Sequence, residues 1–238
     1  MSATRRSQTL KHHVQVHNYL QPDGTLRAKT EGLIAVGHPE FIVEVNSSEL
    51  TIEAEEFLQC MYSYIIRGDA HIRPEETSRY GYWLTKFMAS GSDALETWEL
   101  NAPGTDFVKG ASLALQYWKD QHTVCDKYGA EFTPPIADQI CIISKGVFEG
   151  LPVQGVRYPS PKHMSGWWIS TDEYDGNIRS LRHEHGYHLT NARPDLARYL
   201  ALPYGFRFDL STFEDVWFEA EVIKDGDDAA RKRNRFKG

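Results

Sequence analysis

The stretch Ile140–Glu173, ICIISKGVFEGLPVQGVRYPSPKHMSGWWISTDE, decides how the second half of this chain folds. An apolar run from Gln139 to Ser144 reads as a buried strand. A turn at Gly150 leads to a second strand over Val153–Tyr158, and a third follows over Trp167–Ser170. Successive strand residues point to opposite faces, so Trp167 is expected inside and Trp168 outside. The acids Asp172, Glu173 and Asp175, with Tyr174 among them, then form a polar loop.

Downstream of that stretch, Pro194 opens a short helix carrying Leu196, Tyr199 and Leu200, since proline is favoured at a first helical position. The run Leu202-Pro203-Tyr204-Gly205 stops it. Val216 to Val222 alternates like a half-buried antiparallel strand, with Val216, Phe218, Ala220 and Val222 on one face and Trp217, Glu219 and Glu221 on the other. Upstream, Thr133-Pro134-Pro135 marks a boundary. Before it, Gly32–Val36 and Phe41–Val45 read as strands around Gly37-His38-Pro39-Glu40. A helix is expected over Ile52–Arg67, capped by Thr51, with a stripe of Ala54, Phe57, Leu58, Met61 and Ile65. Tyr80–Met88 and Leu95–Leu100 form a strand pair, and a second helix runs from Phe107 to about Lys127 behind Asp106. The predicted fold class is α+β: two small units, each a mainly antiparallel sheet with helices packed on one face. Residues 1–133 form a ββαββα unit, residues 136–223 a second α+β unit, and residues 224–238 a disordered charged tail.

The net charge of −7 is unevenly spread. Residues 1–11 carry +3 and residues 224–238 carry +3, which leaves −13 on the body between them. Such a body repels phosphates, so nucleic acid is not an expected partner, whereas a basic protein would be steered towards it. Three widely spaced cysteines, Cys60, Cys125 and Cys141, suit neither a disulfide framework nor a zinc site, and buried free thiols in the cytoplasm are expected. The Arg5-Arg6 pair is followed by polar residues rather than the apolar segment of an export signal. No run approaches the roughly 18 apolar residues of a membrane span, and no motif asks for a cofactor.

Two segments carry chemistry-bearing side chains. Arg182-His183-Glu184-His185-Gly186-Tyr187-His188 offers His183, His185 and His188 as metal ligands, with Glu184 beside them, for a metal-dependent hydrolase. Their spacing differs from the zinc-protease helix, and Gly186 argues against a helix, so solvated histidines on a loop or strand edge are the stronger reading. His38 stands alone in its turn, without a partner to make it a general base. The acidic cluster around Asp172 is either a solvated loop or a contact for a basic partner.

An ordered set of residues over 140–222 resembles the immunity protein 33 family. It comprises Ile143-Ser144-Lys145, Gly150-Leu151-Pro152-Val153, Arg157-Tyr158-Pro159, Ser165-Gly166-Trp167 with Asp172-Glu173 behind it, and Arg198-Tyr199-Leu200 through Pro203 and Gly205. Met164 and Thr171 depart from that pattern. The first unit resembles, over a shorter stretch, an uncharacterised bacterial domain with Gly-His-Pro-Glu before an apolar strand. The resemblance implies a cytoplasmic bacterial antidote that binds a cognate secreted toxin, as in polymorphic and type VI secretion systems, and inhibits it without turnover. A basic toxin such as a nuclease would fit the acidic body. Trp168, Asp172, Glu173, Tyr174 and Asp175 are the expected contacts, since aromatic anchors beside acids suit a basic surface. A metal-dependent hydrolase and a non-catalytic regulatory module stay open as alternatives.

Overall fold

Two mixed, mainly antiparallel sheets, one on each side of Pro134–Pro135, carry the helices of this chain on their inner faces. The computed structural model describes residues 15–68 and 70–224. The basic stretch ending at Lys11 and the expected charged tail from Asp225 onward lie outside the described residues.

The first sheet and its helices comprise β1 (Gln15–Leu20), β2 (Leu26–Glu31), β3 (Glu40–Val45), α1 (Thr51–Gly68), β4 (Thr77–Tyr80), β5 (Trp83–Ser90), β6 (Ala94–Leu100), β7 (Phe107–Lys109) and α2 (Ser112–Lys127). The strands lie in the order β1-β2-β3-β6-β5-β4, with β7 on β6, and the central β3–β6 pair is parallel. The stripe expected of α1 is buried, joined by Tyr62. Two expected boundaries moved because a buried carboxylate claims backbone N–H groups. Glu40 accepts from Thr30 Oγ1 (2.6 Å), Gly32 N (2.8 Å) and Ile34 N (3.2 Å). Residues 32–36, expected as a strand, are therefore drawn into a 3-10 turn at Ile34–Val36. Glu99 accepts from Leu113 N (3.0 Å) and Ala114 N (2.7 Å), capping α2 from a neighbouring strand. The helix thus begins at Ser112 rather than behind Asp106, and residues 107–109 pair with β6 instead.

The second sheet comprises β8 (Ile140–Ile143), β9 (Gln154–Arg157), β10 (Met164–Ser170), β11 (Arg182–His185), β12 (Phe206–Asp209) and β13 (Asp215–Phe218), with α3 (Gly186–Ala192) and a 3-10 helix (Pro194–Tyr199) against it. Its order is β11-β8-β10-β9-β12-β13, antiparallel except for β8–β10. Trp167 is fully buried against Phe208, at 5.2 Å between ring centroids. The strand expected over 216–222 ends at Phe218, and residues 220–224 are helical. Val222 is still buried, but Phe218 is 55% exposed. The helix that Gly186 argued against does form. Its first N–H groups donate to Gln139 O (2.9 Å) and Ala137 O (2.8 Å). A Cβ on Gly186 would sit 2.6 Å from Tyr82 Oη, so glycine lets the start of α3 approach Tyr82 there.

One apolar core runs through both sheets. Helix α2 bridges them: Gln121 Nε2 donates to Ala197 O (3.0 Å), and Lys127 Nζ (2.6 Å) and Tyr128 Oη (2.6 Å) both donate to Glu214. Tyr199 Oη donates to the other Glu214 oxygen (2.9 Å). At the centre lies Arg157, 2% exposed. Its Nε donates to Ser165 O (3.0 Å), and its Nη1 faces Thr133 O (2.5 Å), Leu202 O (2.6 Å) and Leu200 O (3.3 Å). The Tyr204 ring stacks at 4.8 Å from the guanidinium carbon. Burial pushes the Arg157 pKa down to about 10, so the group stays charged at neutral pH.

Arg157→Met will take the guanidinium donor from Thr133 O, Ser165 O and Leu202 O, while Leu200 O keeps Trp167 Nε1, and is expected to cost about 3–5 kcal/mol in urea unfolding. Arg157→Lys will recover only a minor part, because one ammonium cannot span three segments. The hydrogen bonds from Lys127, Tyr128 and Tyr199 pull the Glu214 pKa from 4.5 to about 2. A depressed carboxylate stabilises the fold above its unfolded pKa and loses that contribution as pH falls through the folded value. The stability gap between wild type and Glu214→Gln should therefore be constant at neutral pH and close between pH 4.5 and 2.

Candidate functional site

The inner face of the second sheet is filled, and its outer face is not. Register places one residue of every strand in a single cross-sheet row: His183, Ile142, Trp168, Val156, Arg207 and Trp217. Trp168 and Trp217 are 37% and 38% exposed. Between them lies a groove of about 370 Å³ bordered also by Tyr158, Tyr174 and Leu181. Tyr158 meets Trp168 edge to face at 6.0 Å. Arg207 forms the floor, ion-paired to Glu219 and 5.9 Å from the Trp217 ring centre. The next row along the strands is Ser170, Gln154, Asp209 and Asp215.

The motif Ser165-Gly166-Trp167 builds this face from beneath. Between Met164 and Trp168 the β8–β10 register slips, and Gly166 takes φ +87° at the bulge. A Cβ there would lie 2.3 Å from Tyr158 O. Ser165 Oγ donates to Ile140 O (3.0 Å) and accepts from Trp167 N (3.2 Å). The bulge thereby sends Trp167 into the core, where its Nε1 donates to Leu200 O (2.9 Å), and leaves Trp168 outside.

The structure brings Trp168 and Tyr174 together at the groove. Asp172, Glu173 and Asp175 lie on the exposed loop beyond the end of β10 and do not line it. That loop is anchored: Thr171 N donates to Ser144 Oγ (3.0 Å), and Thr171 Oγ1 to Lys145 O (2.7 Å). Glu173 pairs with Lys145 at 2.9 Å. Asp175 accepts from Asn177 N (2.9 Å) and Ser180 Oγ (2.8 Å), bonds that lower its pKa. Asp175 therefore shapes its loop as well as charging it.

The histidines are separated by secondary structure. His183 joins the outer-face row, while His185 donates from Nδ1 to Asp138 O (2.6 Å) and lies parallel to Tyr187 at 5.2 Å. His188 sits on α3, 5.9 Å from His185 and 3.5 Å from Glu184. Among the described residues no group of three or more His, Cys, Asp or Glu side chains is placed to hold a metal ion. His38 is 2% exposed, donates from Nδ1 to Pro39 O (2.6 Å) and accepts at Nε2 from Ile72 N (3.0 Å), which makes it a neutral structural residue. Burial lowers its pKa accordingly. Cys125 and Cys141 are buried as expected, whereas Cys60, on the outer side of α1, is exposed.

Sequence reading missed Tyr158, Arg207 and Trp217 as neighbours of Trp168. The alternation in Phe206-Arg207-Phe208-Asp209 carried the signal, but four residues between a turn and a loop are too short a pattern to stand out.

Residues 120–219 match the family model of the Imm33-like domain, so the chain carries an Imm33-like domain that begins within α2 and ends just past β13. No curated protein and no solved structure matches the chain. Among the described residues no helix is long and apolar enough to cross a membrane.

Asp175→Ala should release the loop. Amide exchange at Asn177 is expected to rise severalfold, while the amides of β10 keep their protection, as read by hydrogen exchange.

Proposed function

We propose that this protein is an immunity protein that binds a cognate secreted toxin and neutralises it by occlusion, without turnover, in the cytoplasm of the bacterium that makes it. The observation that carries this reading is an Imm33-like domain presenting an open aromatic sheet face. Exposed Trp and Tyr offer large contact area at low entropic cost, which is what binding without catalysis needs. Trp168 and Tyr174 serve as anchors, and Asp172, Glu173 and Asp175 form a charged rim beside them. The body charge of −13 over residues 12–223, left after the two basic ends are set apart, favours a basic toxin such as a nuclease. Residues 1–133 and 136–223 are its two units, the second making the contact and the first buttressing it through α2. Delivery of the toxin by type VI secretion is consistent with this role.

Co-expression with the product of the adjacent gene tests the reading. The chain should restore growth to cells producing that toxin and elute with it as one complex. Unrelieved toxicity together with separate elution would sink the proposal.

A further inference from the structure

The outer face of the second sheet has dimensions and charge that specify what fits there. Trp168 and Trp217 stand on β10 and β13, three strand spacings apart in the order β10-β9-β12-β13. At about 4.8 Å per spacing, their backbone positions are about 14 Å apart. Allowing for ring thickness, that is the width of one α-helix with its side chains, about 10–12 Å. Val156 and Arg207 lie on the row between them. Val156 is short, and Arg207 is held down by Glu219 and the Trp217 ring, so its charge is already answered. A strand added at the β13 edge would touch Trp217 and leave Trp168 bare.

Charge sets the polarity of the occupant. In the row beside the indoles, Asp209 and Asp215 are direct cross-strand partners. Asp209 accepts from Gln154 Nε2 (3.0 Å) and Ser211 N (2.8 Å), and Asp215 is exposed. Among the described residues no cation lies within salt-bridge distance of either. Two carboxylates facing each other across a strand pair destabilise the sheet edge unless a cation answers them.

We propose that this face seats one amphipathic, basic helix of the toxin, laid along the strands between Trp168 and Trp217 with lysine or arginine side chains over Asp209 and Asp215. The proposal rests on the immunity reading and makes it specific: the inhibitor reads a helix through two indole walls and one acidic row.

The purified complex with the adjacent gene's product is the probe, and titration calorimetry the readout. Trp168→Ala combined with Trp217→Ala should weaken binding about 100-fold, because each removes an exposed aromatic anchor without touching the core. Asp215→Lys, at an exposed position without internal partners, should weaken it about 10-fold and flatten its salt dependence. Tyr64→Ala, on the outer side of α1, should leave affinity unchanged. Hydroxyl-radical footprinting of the wild-type chain should oxidise Trp168 and Trp217 when free and spare both in the complex. A photo-crosslinking residue in place of Val156 should label toxin positions three or four apart in a lysine- or arginine-bearing segment. Retention of wild-type affinity by the double tryptophan variant, labelling at alternate toxin positions, or protection of both indoles in the free chain by a second copy or by residues 225–238 would each overturn the seat while leaving the immunity reading intact. Absence of any wild-type complex would remove both.

Discussion

A single buried guanidinium holds the second half of this protein together. Arg157 meets Thr133, Ser165, Leu200 and Leu202 only through main-chain carbonyls, and no carboxylate among the described residues answers its charge. A desolvated cation is tolerable here because four carbonyl dipoles and the Tyr204 ring replace its water. Trp167 Nε1 reaches the same Leu200 carbonyl, so the bulge at Gly166 and the segment after the 3-10 helix converge on one point. The residues that carry the family resemblance, Arg157, Ser165-Gly166-Trp167 and Tyr199-Leu200 through Gly205, are largely the parts of this node. Their physical role is architectural.

That assignment separates framework from surface. The node fixes β9 and β10 from the inside, and the same two strands present Val156 and Trp168 on the outside. Ser144 and Thr171 extend the arrangement to the loop with Asp172 and Glu173, pinning its first residue while leaving its acids in water. Rigid support beneath exposed aromatic side chains is what a binding face needs, since ordering a mobile surface on contact would subtract from affinity.

Much of the fold was legible in the sequence because it follows periodic burial. Helix α1 with its stripe, the β5–β6 hairpin, β8, β9 and the inward turn of Trp167 all show in alternation or helical spacing. The elements that sequence misplaced depend on contacts between residues far apart in the chain. Glu99 decides where α2 begins and Glu40 bends residues 32–36, and neither effect has a local signature. Gly186 opposes a helix by propensity, yet packing against Tyr82 and hydrogen bonds to the 137–139 backbone override it. At the site, Trp168 and Tyr174 were legible as aromatic residues near one another, Trp168 on the outer side of its strand. Arg207, Trp217 and Tyr158 were not, because strand order in the sheet brings them alongside and no sequence window spans it.

The carbonyls around Arg157 lie 24, 8, 43 and 45 residues from it along the chain. Until the Pro-Pro segment, the bulged strand and the residues after the 3-10 helix have all arrived, the guanidinium is better left in water than buried. Partial assemblies of this half that bury Arg157 are therefore penalised by its desolvation, which favours the segments closing on it together. A fragment that ends before Leu202 lacks a ligand for that step and will stay loose. Burying Arg157 only where all its carbonyls are in place disfavours a half-formed version of the face.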